Sequence, residues 1–299
     1  MTTSIYRDAL SIENGNMHQR TKTDPLHLHK ARRLPKALII GFNKCGTAAL
    51  RSFLSIHPDI VSPTLELYYF SHNYSRGLEW YKSQMPMSTP RQITIEKNPG
   101  YIKELEYMNR IYKFNPYMKL LVIVRNPAVR IQSQYVHNVL KYLHTTGNVS
   151  FSEWFDRYPF KKHVIHWSDY ASKIRQAFSV FPERQFLIVS NEDLQRDPVF
   201  VIRQAERFLD LKPAVTNDVF VFNEKRGVHC FNTSHPFFLS VLDNAQVNTL
   251  TGCLVESKGR KHPSYDPQLL QQVVNISLPY VEDLFRLIHK KFDWKYYNT

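Results

Sequence analysis

Cysteine is nearly absent from this chain. Cys45, Cys230 and Cys253 are the three among 299 residues, too few for a disulfide-dense scaffold and, without a CxxC pair, lacking zinc-knuckle spacing. At most one internal disulfide is open to the chain, and on the residues alone three free thiols are an equal reading. Long apolar runs are missing too. No segment reaches the roughly 18 to 20 residues that cross a bilayer, and the opening MTTSIYRDALSIENGNMHQR holds no apolar signal-peptide segment. The chain reads as soluble, and a lumenal domain cut from an anchored precursor reads the same. Acidic residues are in deficit, with Asp plus Glu at 26 against 39 Lys plus Arg, a formal charge of +13. That balance fits a polyanionic or phosphorylated partner: nucleic acid, an anionic membrane surface, a sulfated glycan or a nucleotide cofactor.

What is present suffices for a large core, since 43% of the residues are hydrophobic and the length suits one large α/β domain or two modest ones. Residues 1–34 show no period, carry HLHKARR before the first apolar run, and read as an extended basic lead-in. Residues 35–299 read as a single domain. Within it, ALII (37–40) predicts a strand, a glycine turn follows, and TAALRSFLSIH predicts a helix. QITIE, KLLVIV and QFLIVS predict three more strands, each followed by a helical segment. Strands alternating with helices predict an α/β fold with a central parallel sheet flanked by helices. From Asn223 to about Pro267 the rhythm breaks, which predicts a functional or ligand-covering loop. The C-terminal LLQQVVNISLPYVEDLFRLIHKKFDW returns to helical period, with an interruption expected at Pro279. No internal repeat is visible.

The segment LPKALIIGFNKCGTAALRSFL carries the clearest chemistry. Gly41 and Gly46 bracket a turn, Lys44 lies inside it, and Thr47 opens the helix, so amides at the helix start can cradle phosphate oxygens beside a mobile cation. This is not a Walker A loop, because its lysine precedes the second glycine instead of following it. Arg125 stands just beyond a buried strand and Ser133 in the next helix. If that strand neighbours the first, an arginine fork and a hydroxyl meet at the carboxyl edge, where they can hold a second phosphate. Lys258, Gly259 and Arg260 form a compact basic turn. Glu66 and Lys97 both follow elements that end at the same edge; a carboxylate there is a candidate general base for a hydroxyl, and a lysine can stabilise charge on a transferred group. His137 and His262 are candidates to touch an acceptor and to carry partial charge at acidic pH. Sequons begin at Asn73, Asn148, Asn232 and Asn275, which are candidate glycosylation sites.

Taken in order, PKALIIGFNKCGT, SIHPDI, GLEWYKSQMP, IEKNPGY, LLVIVRNPAVRIQSQY, NEDLQRDP and CLVESKGRKHPSYDP resemble the heparan sulfate sulfotransferases, most of all the glucosaminyl 3-O-sulfotransferases. The resemblance runs from about Leu34 through Trp294. It implies a P-loop-like sulfotransferase fold and 3'-phosphoadenylyl sulfate as donor, leaving adenosine 3',5'-bisphosphate as product, with no metal required. It implies Lys44, Cys45, Gly46 and Thr47 around the 5'-phosphosulfate, Arg125 and Ser133 at the 3'-phosphate, and Lys258, Gly259 and Arg260 along the nucleotide. Glu66 is implied as the catalytic base, with Lys44 and Lys97 offsetting charge on the transferring group. The acceptor implied is the 3-hydroxyl of glucosamine in heparan sulfate, contacted by Lys97, His137 and His262.

The resemblance also implies a Cys230–Cys253 bridge, glycosylation, and action in the Golgi lumen or secretory pathway. Nucleic acid is not implied as a partner, and no oligomeric contact is read from the sequence. Departures from the family pattern cluster at the site. Cys45 replaces a glycine, Asn43 stands where arginine is common, Ala48 replaces a frequent basic residue, and Tyr68 and Ser71 stand where histidine and aspartate are typical. HPFFLSVLDNAQVNTLTG lengthens the interval between the two later cysteines. N-sulfotransfer to glucosamine and a weakly active or inactive heparin-binding protein are the competing expectations.

Overall fold

The computed structural model describes residues 29–146, 150–156, 160–242, 247–255 and 262–297. In chain order the first elements are β1 (Ala31–Arg32), β2 (Ala37–Gly41), α1 (Thr47–Leu54), β3 (Ile60–Val61), α2 (Gly77–Ser83), β4 (Met87–Ser88), β5 (Ile93–Lys97), α3 (Leu105–Phe114) and β6 (Lys119–Val124). After these come α4 (Pro127–Thr146), α5 (Phe151–Asp156), α6 (Phe160–Ser168), α7 (Tyr170–Phe178), β7 (Phe186–Ser190), α8 (Asn191–Arg196) and α9 (Pro198–Phe208). The chain then runs through β8 (Phe220–Asn223), β9 (Val228–Phe231), α10 (Phe238–Leu242) and α11 (Pro267–Leu287).

β2, β6 and β7 are near-continuous apolar runs, as strands covered on both faces tend to be, whereas β5 carries Thr94, Glu96 and Lys97 among its five residues. They form a five-stranded parallel sheet with β3, in the order β3-β5-β2-β6-β7. β2 pairs Ala37 with Ile95 on one side and with Lys119 on the other. Having formed β2, the chain lays β3 at the sheet's edge, fills the gap with β5 and then crosses to the other side to lay β6 against β2. The strand order thus reverses at β2, and in open parallel sheets ligands settle at the carboxyl ends of the strands flanking such a point. α1 packs against α9, while α3, α7 and α11 pack in series and α11 also meets α4 and α6. A second apolar cluster, around Ile131, Trp154, Phe155 and Val273, fastens α4, α5 and α11 together.

Four expectations are corrected. The first helix ends at Leu54 instead of His57; the His57 ring is turned inward, where Nε2 lies 3.0 Å from the Lys212 carbonyl and Nδ1 accepts from the Asp59 amide. α11 runs unbroken through Pro279, because Val273 and Ser277 before it and Val281, Leu284 and Phe285 after it are buried on one packed face, and that packing outweighs one missing hydrogen bond. It also stops at Leu287 and not at Trp294. The stretch expected as one long loop contains the hairpin strand β9 and helix α10. In the lead-in, Ala31 and Arg32 pair antiparallel with β4; its residues 1–28 lie outside the described ones. No helix among the described residues is long and apolar enough to cross a membrane.

Candidate active site

β2 ends at Gly41, and the chain turns through Phe42 to Gly46 into α1. Two residues of the turn are left-handed, Lys44 at φ 66° and Gly46 at φ 94°. Glycine takes that conformation freely and lysine does so rarely. A side-chain carbon at Gly46 would also collide with Asn191 Nδ2, so this position demands glycine twice over. Two arginines from the β6–α4 edge hold the turn by its carbonyls: Arg125 Nη1 donates to Lys44 O at 3.2 Å, and Arg130 Nε donates to Asn43 O at 3.0 Å. Arg130 is buried, with its guanidinium 4.8 Å from the ring centres of both Trp167 and Tyr170, so aromatic faces and carbonyls satisfy its charge. The carbonyls are thereby used inside the protein, and the first-turn amides of α1, which have no intrahelical acceptor, are what the turn offers an anion.

Cys45 points inward. Its sulfur is 3.5 Å from the Tyr170 hydroxyl, which itself donates to Arg125 O at 2.7 Å. Burial pushes the Cys45 thiol pKa up, so only the backbone of this residue faces a donor. Arg125 is half-buried, its pKa lowered by burial and raised in part by Glu192. Glu192 accepts from the Asn126 amide at 3.1 Å and from Trp294 Nε1 at 2.8 Å, which fixes the end of β6 and so the reach of Arg125. Ser133 lies half-buried on α4. Three buried polar atoms around the turn, Asn43 Oδ1, Arg125 Nε and Asn191 Oδ1, have no hydrogen-bond partner. One cationic donor and two neutral acceptors match a phosphorylated nucleoside, which carries anionic oxygens together with hydroxyl and amino donors.

Beside α1 a cavity of about 200 Å³ is lined by Ala48, Arg51, Leu65, Glu66, Lys97 and Leu254, among others. Here the structure brings Glu66 and Lys97 together: Lys97 Nζ ion-pairs with Glu66 Oε1, and the Tyr68 hydroxyl donates to Glu66 Oε2 at 2.8 Å. Tyr68 is itself left-handed at φ 52°. Its carbonyl accepts from the amides of Asn73 at 3.0 Å and Ser71 at 3.2 Å and from Ser71 Oγ at 3.1 Å, so the surrounding loop sustains the strain. Burial and the adjacent Glu66 push the Tyr68 pKa up to about 12, which keeps the phenol a hydrogen donor. Behind Lys97, Glu96 is fully buried and accepts from Tyr81 Oη at 3.3 Å; burial raises its pKa to about 7.

A second, apolar cavity of about 80 Å³ lies on the other side of α1, bordered by Ala49, Phe53, Asn191, Leu194, His229 and Leu254, among others. Leu254 borders both cavities. Its neighbour Cys253 is bridged to Cys230 on β9, and Arg226 Nη1 donates to the Leu254 carbonyl at 3.1 Å. The disulfide therefore fixes a residue shared by the two walls. His262 sits within the fields of Arg125 and Lys44, at the donor turn. Burial first and those two charges second lower its pKa to about 4. His137 is exposed on α4.

Lys258, Gly259, Arg260 and Asn148 lie outside the described residues. Of the other sequons, Asn73 donates its amide to Leu67 O at 2.8 Å and Asn232 to Asp218 O at 2.9 Å, while Asn275 is exposed on α11. Arg51, Arg130, Tyr170, Asn191 and Glu192 escaped the sequence reading. Arg51 alone left a signal there, since it stands one helical turn after Ala48 and so on the same face of the predicted helix. Among the described residues no group of three or more His, Cys, Asp or Glu is arranged to hold a metal ion.

A phosphate-type turn on the strand where the sheet reverses, with a carboxylate–lysine pair beside it, is the arrangement of a group-transfer enzyme that works from a phosphorylated donor. Residues 34–278 match the sulfotransferase domain. The chain is 32% identical over 302 residues to mouse (Mus musculus) heparan sulfate glucosamine 3-O-sulfotransferase 5, covering 96% of this chain and 83% of that one. It is 35% identical over 268 residues to human (Homo sapiens) heparan sulfate glucosamine 3-O-sulfotransferase 6, covering 88% and 74%. A sulfotransferase from Alicyclobacillus acidocaldarius shares the fold at TM-score 0.63 and 22% identity, covering 87% of this chain and 98% of that one. The chain belongs to the sulfotransferase family, in the group of the heparan sulfate glucosamine 3-O-sulfotransferases.

Proposed function

We propose that this protein transfers a sulfuryl group from 3'-phosphoadenylyl sulfate to the 3-hydroxyl of glucosamine in heparan sulfate. The observation that carries the reading is the double contact at Glu66: a carboxylate held by Lys97 and Tyr68, in a cavity that begins where the phosphate-type turn enters α1. The donor supplies an electrophilic sulfur on a good leaving group. Lys44 and the amides of Gly46 and Thr47 hold its phosphosulfate end, Arg125 and Ser133 its 3'-phosphate, and the apolar cavity beside Ala49 and Asn191 suits its base. Lys258, Gly259 and Arg260 are assigned to the nucleotide by family likeness.

Glu66 accepts the proton of the acceptor hydroxyl as that oxygen forms its bond to sulfur and the bond from sulfur to the 5'-phosphate oxygen breaks. Lys44 and Lys97 meet the negative charge that builds on the transferring group and the departing phosphate. The Cys230–Cys253 bridge supports a location in an oxidising lumen, in keeping with the Golgi or secretory pathway. The test is incubation with sulfate-labelled donor and heparan sulfate, followed by disaccharide analysis. Label on the glucosamine 3-oxygen is expected. Label only on nitrogen would move the activity to N-sulfotransfer, and bound glycan without label would leave a binding protein.

A further inference from the structure

The loop that presents Glu66 is held by residues that do not line the cavity. Tyr68, whose hydroxyl donates to Glu66 Oε2 at 2.8 Å, sits at φ 52°, a left-handed conformation that a bulky residue keeps where its surroundings over-determine it. The holds fall on carbonyls of the loop itself. Leu67 O accepts from Asn73 Nδ2 at 2.8 Å, which closes the loop back onto the residue after Glu66. Tyr68 O accepts from the amides of Asn73 at 3.0 Å and Ser71 at 3.2 Å. Phe70 O and Ser71 O accept from one atom, Arg110 Nη1, at 3.1 Å each.

Arg110 reaches the loop from α3, and its own place is fixed twice. Nη2 ion-pairs with Glu106 one turn earlier on that helix, and the guanidinium stands 4.5 Å from the centre of the Tyr74 ring. A planar guanidinium pinned by a carboxylate and an aromatic face is a rigid strut, and hydrogen bonds from a charged donor are among the stronger ones. We infer that Arg110 and Asn73 are positioning residues of the reaction, locking residues 67–73 in the conformation that sets the Tyr68 hydroxyl on Glu66. The inference rests on the reading of Glu66 as the proton acceptor. Neither residue borders the cavity, so changing either leaves the donor and acceptor contacts in place and the effect falls on turnover.

The experiment records sulfate transfer to heparan sulfate, affinity for adenosine 3',5'-bisphosphate, and hydrogen exchange of the 67–73 amides on each variant. Arg110→Met keeps the stem and removes the fork; Asn73→Ala removes the inner bridge and tests the lock where Arg110→Met does not fold. Each is expected to lower kcat about 10- to 100-fold, the order lost when a remote change misplaces a catalytic group, with nucleotide affinity unchanged and faster exchange at positions 71 and 73. Arg110→Lys, still able to serve one carbonyl, is expected to recover part of the loss. Ser75→Ala removes the sequon at Asn73 and keeps the asparagine, and is expected to behave as wild type. Tyr68→Phe removes the link to Glu66, so adding Arg110→Met to it is expected to change kcat by about 2-fold or less, whereas independent effects would multiply.

Wild-type kcat in folded Arg110→Met and in Asn73→Ala, near-normal turnover in Tyr68→Phe, or losses that multiply in the double variant overturn the inference. A Ser75→Ala loss equal to that of Asn73→Ala assigns the effect to a glycan and removes Asn73 from the lock. Wild-type protein that transfers no label, or Glu66→Gln with near-normal turnover, overturns the proposed activity or the proposed base instead. The exchange measurement then decides the lock by itself: faster exchange in the variants keeps it, and equal exchange removes it.

Discussion

Glu66 is held on two sides, and each hold has a separate consequence. Lys97 on Oε1 and Tyr68 on Oε2 fix the plane of the carboxylate, so in the proposed reaction the acceptor hydroxyl would meet a base already oriented, which is what general-base catalysis needs. Glu66→Gln keeps the shape and both neighbours but accepts no proton. It is expected to bind adenosine 3',5'-bisphosphate as the wild type does, by calorimetry, and to lose about 10²-fold or more in turnover; near-normal turnover removes Glu66 as the base. Lys44→Ala is expected to lose both turnover and nucleotide affinity, because its charge serves the donor.

Glu96, one residue before Lys97, behaves differently. Its folded-state pKa of about 7 stands above the ordinary value of 4.5, so the folded protein keeps this proton where the unfolded chain releases it. Its contribution is fully present below about pH 4.5 and is lost as pH rises through about 7. Glu96→Gln retains an acceptor for Tyr81 and avoids the buried charge. Chemical denaturation is expected to show the variant equal to wild type at pH 4.5 and more stable at pH 8, by an amount on the order of 3 kcal/mol. Equal stability at both pH values contradicts a buried, titrating Glu96. Glu66 and Lys97 were expected from sequence to face the same sheet edge, Lys97 at the end of the second strand predicted and Glu66 beyond the first helix; the strand β3 that leads to Glu66 was not foreseen. Arg130, Tyr170 and Asn191 were not: their contacts to the turn span from 87 to 125 and more residues of chain, and no local pattern records them.

At the scale of elements, the disulfide and the segment after it do the positioning. Cys230 lies on β9 and Cys253 beside Leu254, the residue that borders both cavities. Cys230→Ser is expected to lower stability by about 3 kcal/mol, the loop-closure value for a loop of this length. It is also expected to raise the apparent KM for donor and acceptor together, because one wall serves both. A stability loss with both KM values unchanged would make the bridge a staple without a role in the site. β2, β6 and β7 were readable because burial on both faces makes each an apolar run bounded by turn residues, whereas the two-residue β3 (Ile60–Val61) leaves no pattern to read. The β8–β9 hairpin was not readable either, since FVFN and VHCF are only four residues each on either side of a charged Glu-Lys-Arg-Gly turn, too short for a strand period to register. Pro279 misled for a related reason: a single breaker is a local signal, while the packed face of α11 is set by helices distant in sequence.

At the scale of the whole molecule, the shortage of acidic residues gains a place to act. A formal charge of +13 favours a polyanionic partner from a distance, an attraction that salt screens; under the proposed function, the orientation of one sugar unit falls to the cavity holding Glu66 and Lys97. The fold contributes the reversal at β2, which sets the donor turn and the carboxylate–lysine pair side by side at one edge of the sheet. The account therefore stands on transfer to a defined atom. Purified protein incubated with sulfate-labelled donor and heparan sulfate, digested to disaccharides, is expected to yield label on the 3-oxygen of glucosamine; the absence of label from folded, nucleotide-binding protein, or label on nitrogen alone, contradicts it.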